Sequence, residues 1–109
     1  LINFWASWCL PCIHEMPDIQ KLANTLDEQD FKVLALNSSD SAKRIKETFK
    51  RLKVDLTALI DKDNAVSKAW NSRVLPTSYL IDRDGKLLTK SNRDMLRNNI
   101  VSSLETVIK

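Results

Sequence analysis

The chain contains two cysteines, Cys9 and Cys12, and they lie where a predicted strand passes into a predicted helix. Residues 1–6 are mostly apolar, which is typical of a short buried strand. Apolar residues then recur every three or four positions as far as Leu26, which predicts a helix with one buried face. Two cysteines with two residues between them, at such a junction, predict a pair that exchanges electrons between thiols and a disulfide.

The predicted helix start gives the two thiols different expected roles. A free cysteine has a pKa of about 8.5, but the unpaired N–H groups and partial positive charge at a helix start stabilise a thiolate and lower that pKa to about 3.5–7.5. We therefore expect Cys9, at the mouth of the helix, to attack a substrate disulfide. Cys12, about one turn further in, then resolves the mixed disulfide. Pro11 falls in the first turn, where its missing N–H costs little.

Other interpretations of the pair stay open at this point. A structural disulfide is one, although so short a loop gives little chain-entropy stabilisation. A zinc site needs four ligands, and the chain has a single histidine, His14. A metal- or copper-delivery module needs further soft ligands, for which His14 and Met16 are the nearest candidates. A thiol peroxidase needs a hydroxyl and an arginine around one reactive cysteine, a pattern that Ser7 does not supply.

Composition narrows the possible partners. The 109 residues predict one domain with a single core. The 17 basic and 14 acidic residues are interspersed, so the formal charge of +3 predicts no nucleic-acid partner. Basic residues at 43–53 predict a solvated helix face, with docking to an anionic surface as the alternative. No apolar run approaches the roughly 20 residues of a membrane span. Because Leu1 lies inside a predicted strand, we expect a missing upstream segment, either a signal or an anchor.

The pattern along the chain predicts the order βαβαβαββα. Strands are expected at residues 31–36, 57–60, 77–81 and 86–89, the last two joined by a hairpin turn at Asp84 and Gly85. Helices are expected around Ile45 and Phe49, at residues 65–70, and at the C-terminus with Leu96, Ile100 and Leu104. The candidates for the N-cap of the second helix are Ser39, Asp40 and Ser41. Alternating units of this kind imply a largely parallel sheet with helices on both faces and an antiparallel edge.

Residues 3–17, Asn-Phe-Trp-Ala-Ser-Trp-Cys-Leu-Pro-Cys-Ile-His-Glu-Met-Pro, closely resemble the thioredoxin-like proteins of the TlpA/ResA type. Residues 75–82, Leu-Pro-Thr-Ser-Tyr-Leu-Ile-Asp, look like the segment that carries the family's cis-proline and the strand after it. The resemblance implies an α/β thioredoxin fold, a mixed central sheet flanked by helices, as a single domain over residues 1–109 with an inserted αβ unit at about 40–60. Asn71 and Val74 stand where the family commonly has glycine, so the loop before Pro76 is expected to differ.

The resemblance also implies roles for individual residues. Cys9 and Cys12 match the family's redox pair, and Trp8 matches the aromatic residue beside it. Pro76 matches a cis-proline that faces the cysteines, and a cis bond costs little only before proline. Leu75 is then expected to offer its backbone to an extended substrate segment. The predicted substrate groove comprises Trp8, Pro11, Leu75 and Pro76.

Glu15 is a third catalytic candidate. It matches an acidic residue that lies beside the cysteines in this family, and it follows Cys12 by three residues on the same side of the helix. Asn3 stands where ordinary thioredoxins have a buried aspartate, which leaves Glu15 as the nearest group to move a proton to or from Cys12. The alternative is a solvated glutamate near the helix start, where its charge is favourable.

The function that the resemblance implies is thiol–disulfide exchange with protein substrates. We expect a reductant on the extracytoplasmic side of a bacterial membrane, in a process such as cytochrome c maturation. An upstream thiol donor would recycle the pair, and no cofactor or metal is expected beyond the Cys9–Cys12 disulfide. We expect a monomer, linked to a membrane only if the missing upstream segment is an anchor rather than a signal.

Overall fold

The computed structural model describes residues 1–26, 31–70 and 75–91. Within these residues the helices and strands follow the predicted order. They are β1 Ile2–Trp5, α1 Leu10–Thr25, β2 Leu34–Asn37, α2 Ala42–Leu52, β3 Thr57–Ile60, a 3-10 helix Lys62–Asn64, α3 Ala65–Ala69, β4 Thr77–Ile81 and β5 Leu87–Ser91. Two predictions lie outside the described residues: the C-terminal helix with Leu96, Ile100 and Leu104, and the loop at Asn71 and Val74.

β2 begins later than its sequence predicts. Phe31 and Val33 are buried, as strand residues would be, but the strand starts only at Leu34. Its first partner across the sheet is Ile2, the first residue of β1, and the residues before Leu34 lie beside Leu1, whose N-terminal group donates to the Lys32 carbonyl at 2.8 Å. The apolar run therefore marks burial correctly but does not mark the start of pairing.

The five strands form one mixed sheet in the order β3-β2-β1-β4-β5. β1 lies at the centre, parallel to β2 and antiparallel to β4, and β3 extends the parallel part at one edge. β5 pairs antiparallel with β4 at the other edge, as the predicted hairpin requires. Since β1 leads directly into α1, this topology puts the cysteine pair at the carboxyl end of the central strand.

Neighbouring residues of β1 supply the cores on the two faces of the sheet, because successive strand side chains point to opposite sides. Trp5 is fully buried and stacks on Phe49 of α2, with ring centroids 5.3 Å apart and planes inclined by 21°. Phe4 faces the other way and meets Tyr79 edge-on at 5.7 Å. The first of these cores also contains Cys9 and Cys12, so the packing of α2 directly supports the cysteine pair.

Asp61 ties the end of β3 to the start of α3. Its carboxylate is 4% exposed and accepts hydrogen bonds from the backbone N–H groups of Val66 and Ser67 and from the Ser67 hydroxyl. Burial raises the pKa of Asp61, but these hydrogen bonds outweigh burial and hold the pKa below its ordinary value. The carboxylate therefore satisfies backbone donors that a helix start leaves unpaired.

Candidate active site

The turn between β1 and α1 places Cys9 at the N-cap of the helix. Its backbone N–H donates to the carbonyl of Ala6 at 3.2 Å, and its own carbonyl accepts from Ile13 at 3.1 Å. The Cys9 backbone is extended, and its sulfur accepts from the backbone N–H of Cys12 at 3.3 Å. Cys9 therefore occupies the position where side chains satisfy the unpaired N–H groups of a helix start.

Cys9 and Cys12 are joined by a disulfide, with their Cα atoms 5.3 Å apart. Cys9 is 6% exposed and Cys12 is 2% exposed, and Pro11 lies between them in the first turn. The predicted spatial pairing is confirmed, and the more exposed residue of the pair is the one predicted to attack. The attacking and resolving roles themselves stay predictions.

Glu15 reaches from α1 to the strand beneath it. Its Oε1 accepts from the Asn3 amide nitrogen at 3.2 Å, and the same amide donates to the Ser78 hydroxyl at 2.7 Å. Asn3 and Ser78 face each other across β1 and β4 and are almost fully buried, whereas Glu15 is half-buried. Glu15 is therefore not a fully solvated surface residue, and it contacts Asn3 through a hydrogen bond that the sequence did not predict.

We predict that Glu15→Gln separates thiol reactivity from turnover. Removing a carboxylate near the pair favours thiolate, so alkylation of the reduced cysteines at pH 7 should accelerate about two- to tenfold. Disulfide exchange should slow, because glutamine transfers no proton. Iodoacetamide kinetics across pH, followed by mass spectrometry, measure the first effect. Glu47→Gln, on the exposed face of α2, is the matched control; a wild-type profile in Glu15→Gln would remove Glu15 from the mechanism.

The predicted groove residues separate into an exposed and a buried pair. Trp8 is 66% exposed, and Pro11 is exposed beside the disulfide. Leu75 is half-buried against the core that contains both cysteines, and the peptide bond to the buried Pro76 is cis, as the resemblance implies. Leu10 adds to the exposed apolar surface next to Cys9, with 69% of its area accessible. An apolar surface therefore borders the disulfide on the solvent side.

The turn after β2 contributes to the site in a way that its sequence did not predict. Of the three N-cap candidates, Ser39, Asp40 and Ser41, only Ser41 caps α2, accepting from the backbone N–H of Arg44 at 3.2 Å. Asp40 instead accepts two hydrogen bonds from Ser7, and Ser39 accepts one from the Trp8 indole. The available signal was a buried strand that ends in consecutive polar residues, at the sheet end where β1 also ends.

Two further features of the described ranges bear on partners. Across residues 1–26, 31–70 and 75–91, no helix is long and apolar enough to span a bilayer. The same ranges bring no three histidine, cysteine or acidic side chains together in a way that would hold a metal ion. The basic side chains of α2 are solvent-exposed, as predicted.

The chain is similar to known proteins over nearly its whole length. A model of the Redoxin family matches residues 1–108. The thiol–disulfide oxidoreductase ResA of Geobacillus thermodenitrificans is 30% identical over 106 residues, which are 97% of this chain and 61% of that protein. The chain therefore spans about three-fifths of the length of the curated relatives it matches.

Two solved structures have the same fold. A Neisseria meningitidis protein assigned as a thioredoxin is 32% identical with a TM-score of 0.83, covering 97% of this chain and 71% of that one. A Chlorobium tepidum protein assigned as the thiol:disulfide interchange protein DsbE gives a TM-score of 0.88 at 24% identity, covering 99% and 78%. The predicted thioredoxin fold, a mixed sheet flanked by helices, is confirmed.

Proposed function

Because the chain belongs to the Redoxin family, we propose that it is a thiol–disulfide oxidoreductase that acts through Cys9 and Cys12. The observation that carries the proposal is the disulfide across the first turn of α1, with Cys9 at the helix N-cap. In the reduced protein this position favours a thiolate at Cys9, because backbone N–H groups and the helix dipole stabilise negative charge there.

The exchange proceeds in two displacements. The Cys9 thiolate attacks one sulfur of a substrate disulfide, so that a mixed disulfide forms and the other substrate sulfur leaves as a thiolate and takes up a proton. Cys12, once deprotonated, attacks the Cys9 sulfur, which restores the Cys9–Cys12 bond and releases the second substrate thiol. Two electrons pass from the protein dithiol to the substrate, and an upstream thiol donor returns the pair to the reduced state.

Neighbouring residues assist these steps. Glu15 is the proton acceptor for Cys12. The hydrogen bond that Asn3 donates to it keeps the Glu15 side chain half-buried. Trp8, Pro11, Leu75 and Pro76 form the surface on which an extended substrate segment lies beside Cys9, with Leu75 offering its backbone. Binding of this kind uses main-chain contacts for affinity, so that the side chains around the disulfide set the preference among substrates.

The chemistry needs only the cysteine pair, so we propose no metal or cofactor. From the resemblance to proteins of the TlpA/ResA type, we propose a reductant in the extracytoplasmic space, with disulfides of the cytochrome c maturation type as substrates. We propose that the protein acts as a monomer, that it has no nucleic-acid partner, and that only an N-terminal anchor outside this sequence would hold it at a membrane.

Two measurements on the purified chain test this proposal. We expect the reduced protein to accelerate reduction of insulin disulfides by dithiothreitol at least about tenfold, because a stabilised thiolate attacks faster than a free thiol. Equilibration with glutathione buffers, read by alkylation and mass spectrometry, should give a reduction potential below that of glutathione. A protein that leaves insulin reduction unchanged would contradict the activity, and a potential above that of glutathione would contradict the direction.

A further inference from the structure

We infer that Asp40 is a positioning residue for Cys9, because its carboxylate holds the turn that presents Cys9 at the start of α1. The inference rests on the proposed function and extends it to a residue outside the cysteine motif. Asp40 lies after β2, more than thirty residues along the chain from the turn it contacts (Ser7 and Asp40 are 33 positions apart). It does not bond to either sulfur, so its effect on the chemistry is indirect.

Both carboxylate oxygens of Asp40 accept hydrogen bonds from Ser7. Oδ2 accepts the backbone N–H of Ser7 at 2.7 Å, and Oδ1 accepts the Ser7 hydroxyl at 2.7 Å. Hydrogen bonds to an ionised acceptor are stronger than neutral ones, and two in parallel restrain orientation as well as distance. Ser7 precedes Cys9 by two residues, so the restraint acts on the peptide units that lead into the N-cap.

The carboxylate is itself held by the central part of the sheet. Asn37, the last residue of β2, is fully buried and pairs with Trp5 of β1. Its amide nitrogen donates to Asp40 Oδ2 at 2.8 Å, and its Oδ1 accepts the backbone N–H groups of Ser39 at 3.1 Å and Asp40 at 2.8 Å. The buried side chain of Asn37 therefore fixes the turn after β2 to the sheet, and Asp40 in that turn fixes the position of Ser7.

The same turn also fixes the aromatic residue beside Cys9. The Trp8 indole N–H donates to the Ser39 hydroxyl at 2.8 Å, although the Trp8 side chain is 66% exposed. Arg44 of α2 adds a longer contact, its Nε lying 3.4 Å from the Ser7 hydroxyl. Both residues that precede Cys9 are thus attached to the segment that Asp40 organises.

The charge of Asp40 and its hydrogen bonds have opposite expected effects on Cys9. Burial raises the pKa of Asp40, but hydrogen bonds from Ser7 and Asn37 and the charge of Arg44 outweigh it and hold that pKa below its ordinary value. Asp40 is therefore ionised wherever thiols titrate. A nearby negative charge alone would disfavour a Cys9 thiolate, whereas a well-placed helix start favours it. The two contributions can be separated by substitution.

The test compares Asp40→Ala with Asp40→Asn in the reduced full chain. Alanine removes the hydrogen bonds to Ser7 and Asn37, so Cys9 should alkylate about three- to tenfold more slowly at pH 7, with its titration displaced towards that of free cysteine. Asparagine has the same shape, and its amide oxygen still accepts from the Ser7 backbone. It loses the charge but keeps the backbone hydrogen bond, and its amide nitrogen can donate to the Ser7 hydroxyl where the carboxylate accepted from it, so Cys9 in this variant should alkylate as fast as in the wild type or faster. Glu15 and Arg44, the neighbouring charges, are unchanged in both variants.

Asp61→Ala is the matched control for general destabilisation. Asp61 is also a carboxylate with three hydrogen bonds and a lowered pKa, but it holds the start of α3 rather than the cysteine turn. It should leave the alkylation profile of Cys9 unchanged. If Asp40→Ala does not fold, Ser7→Ala replaces it, with a smaller slowing because the backbone bond to Asp40 remains.

Three results would overturn the positioning role: a wild-type profile in Asp40→Ala, equal slowing in Asp40→Asn and Asp40→Ala, or a shift in Asp61→Ala as large as that in Asp40→Ala. Alkylation of Cys9 needs no disulfide substrate. The two proposals can therefore fail separately. If the wild-type chain does not accelerate insulin reduction, the proposed function is rejected, and slower alkylation of Cys9 in Asp40→Ala would still support the positioning role.

Discussion

Replacing Cys12 with serine should convert the protein from a catalyst into a trap. Cys9 would still attack a substrate disulfide, but no second thiol would be present to release the mixed disulfide, so a covalent complex should accumulate. Turnover should fall to the rate at which dithiothreitol alone reduces the substrate. Cys9→Ser should also lose turnover but should trap nothing, because Cys12 is 2% exposed and sits behind the attacking position.

The two cysteine variants can be compared on one gel. Each is incubated with a disulfide-containing protein substrate, quenched with acid and iodoacetamide, and separated without reductant, so that a mixed disulfide appears as a heavier band. Reduction of the sample should abolish that band. Normal turnover by Cys12→Ser, or an equal yield of complex from Cys9→Ser, would reverse or reject the roles assigned to the pair.

The second large effect should come from Trp5→Ala, which removes the side chain beneath the disulfide. Trp5 is fully buried, stacks on Phe49 and shares a core with both cysteines. Truncating a buried aromatic residue to alanine costs about 3–5 kcal/mol, against a total stability of about 5–15 kcal/mol for a typical domain. The indole N–H of Trp5 has no hydrogen-bond partner in the described part of the chain. Trp5→Phe should therefore cost much less.

Urea unfolding followed by circular dichroism measures this difference. Trp8→Ala is the matched control, because it removes the same side chain from a site that is 66% exposed. Its stability should change by no more than about 0.5–1 kcal/mol, since it loses an exposed hydrogen bond and little buried area. If Trp5→Ala unfolded at the wild-type urea concentration, the stacked pair would not be supporting the cysteine turn.

The sequence predicts the cysteine site well because its determinants are local. Cys9, Pro11 and Cys12 lie within one helical turn, so the strand-to-helix transition alone sets their relative positions. Glu15 was singled out from its place three residues after Cys12, but its hydrogen bond with Asn3 was not predicted. The cis bond before Pro76, in contrast, was implied by the family resemblance and not by any local pattern.

The parts that escaped prediction depend on contacts between distant segments. The polar residues that follow β2 mark a turn beside the end of β1, but they do not indicate that the Asp40 carboxylate binds Ser7 rather than capping α2. That choice depends on β1 and β2 ending side by side, which is a property of the assembled sheet.

The position of β1 at the centre of the sheet has a consequence for biosynthesis. Asn3 bonds to Ser78, 75 residues further along the chain, so β1 gains its antiparallel neighbour only after most of this sequence has left the ribosome. During that interval both thiols belong to a nascent chain without its completed sheet. A bond between residues three positions apart constrains almost none of the unfolded chain, so premature oxidation at this point would leave the later strands free to assemble.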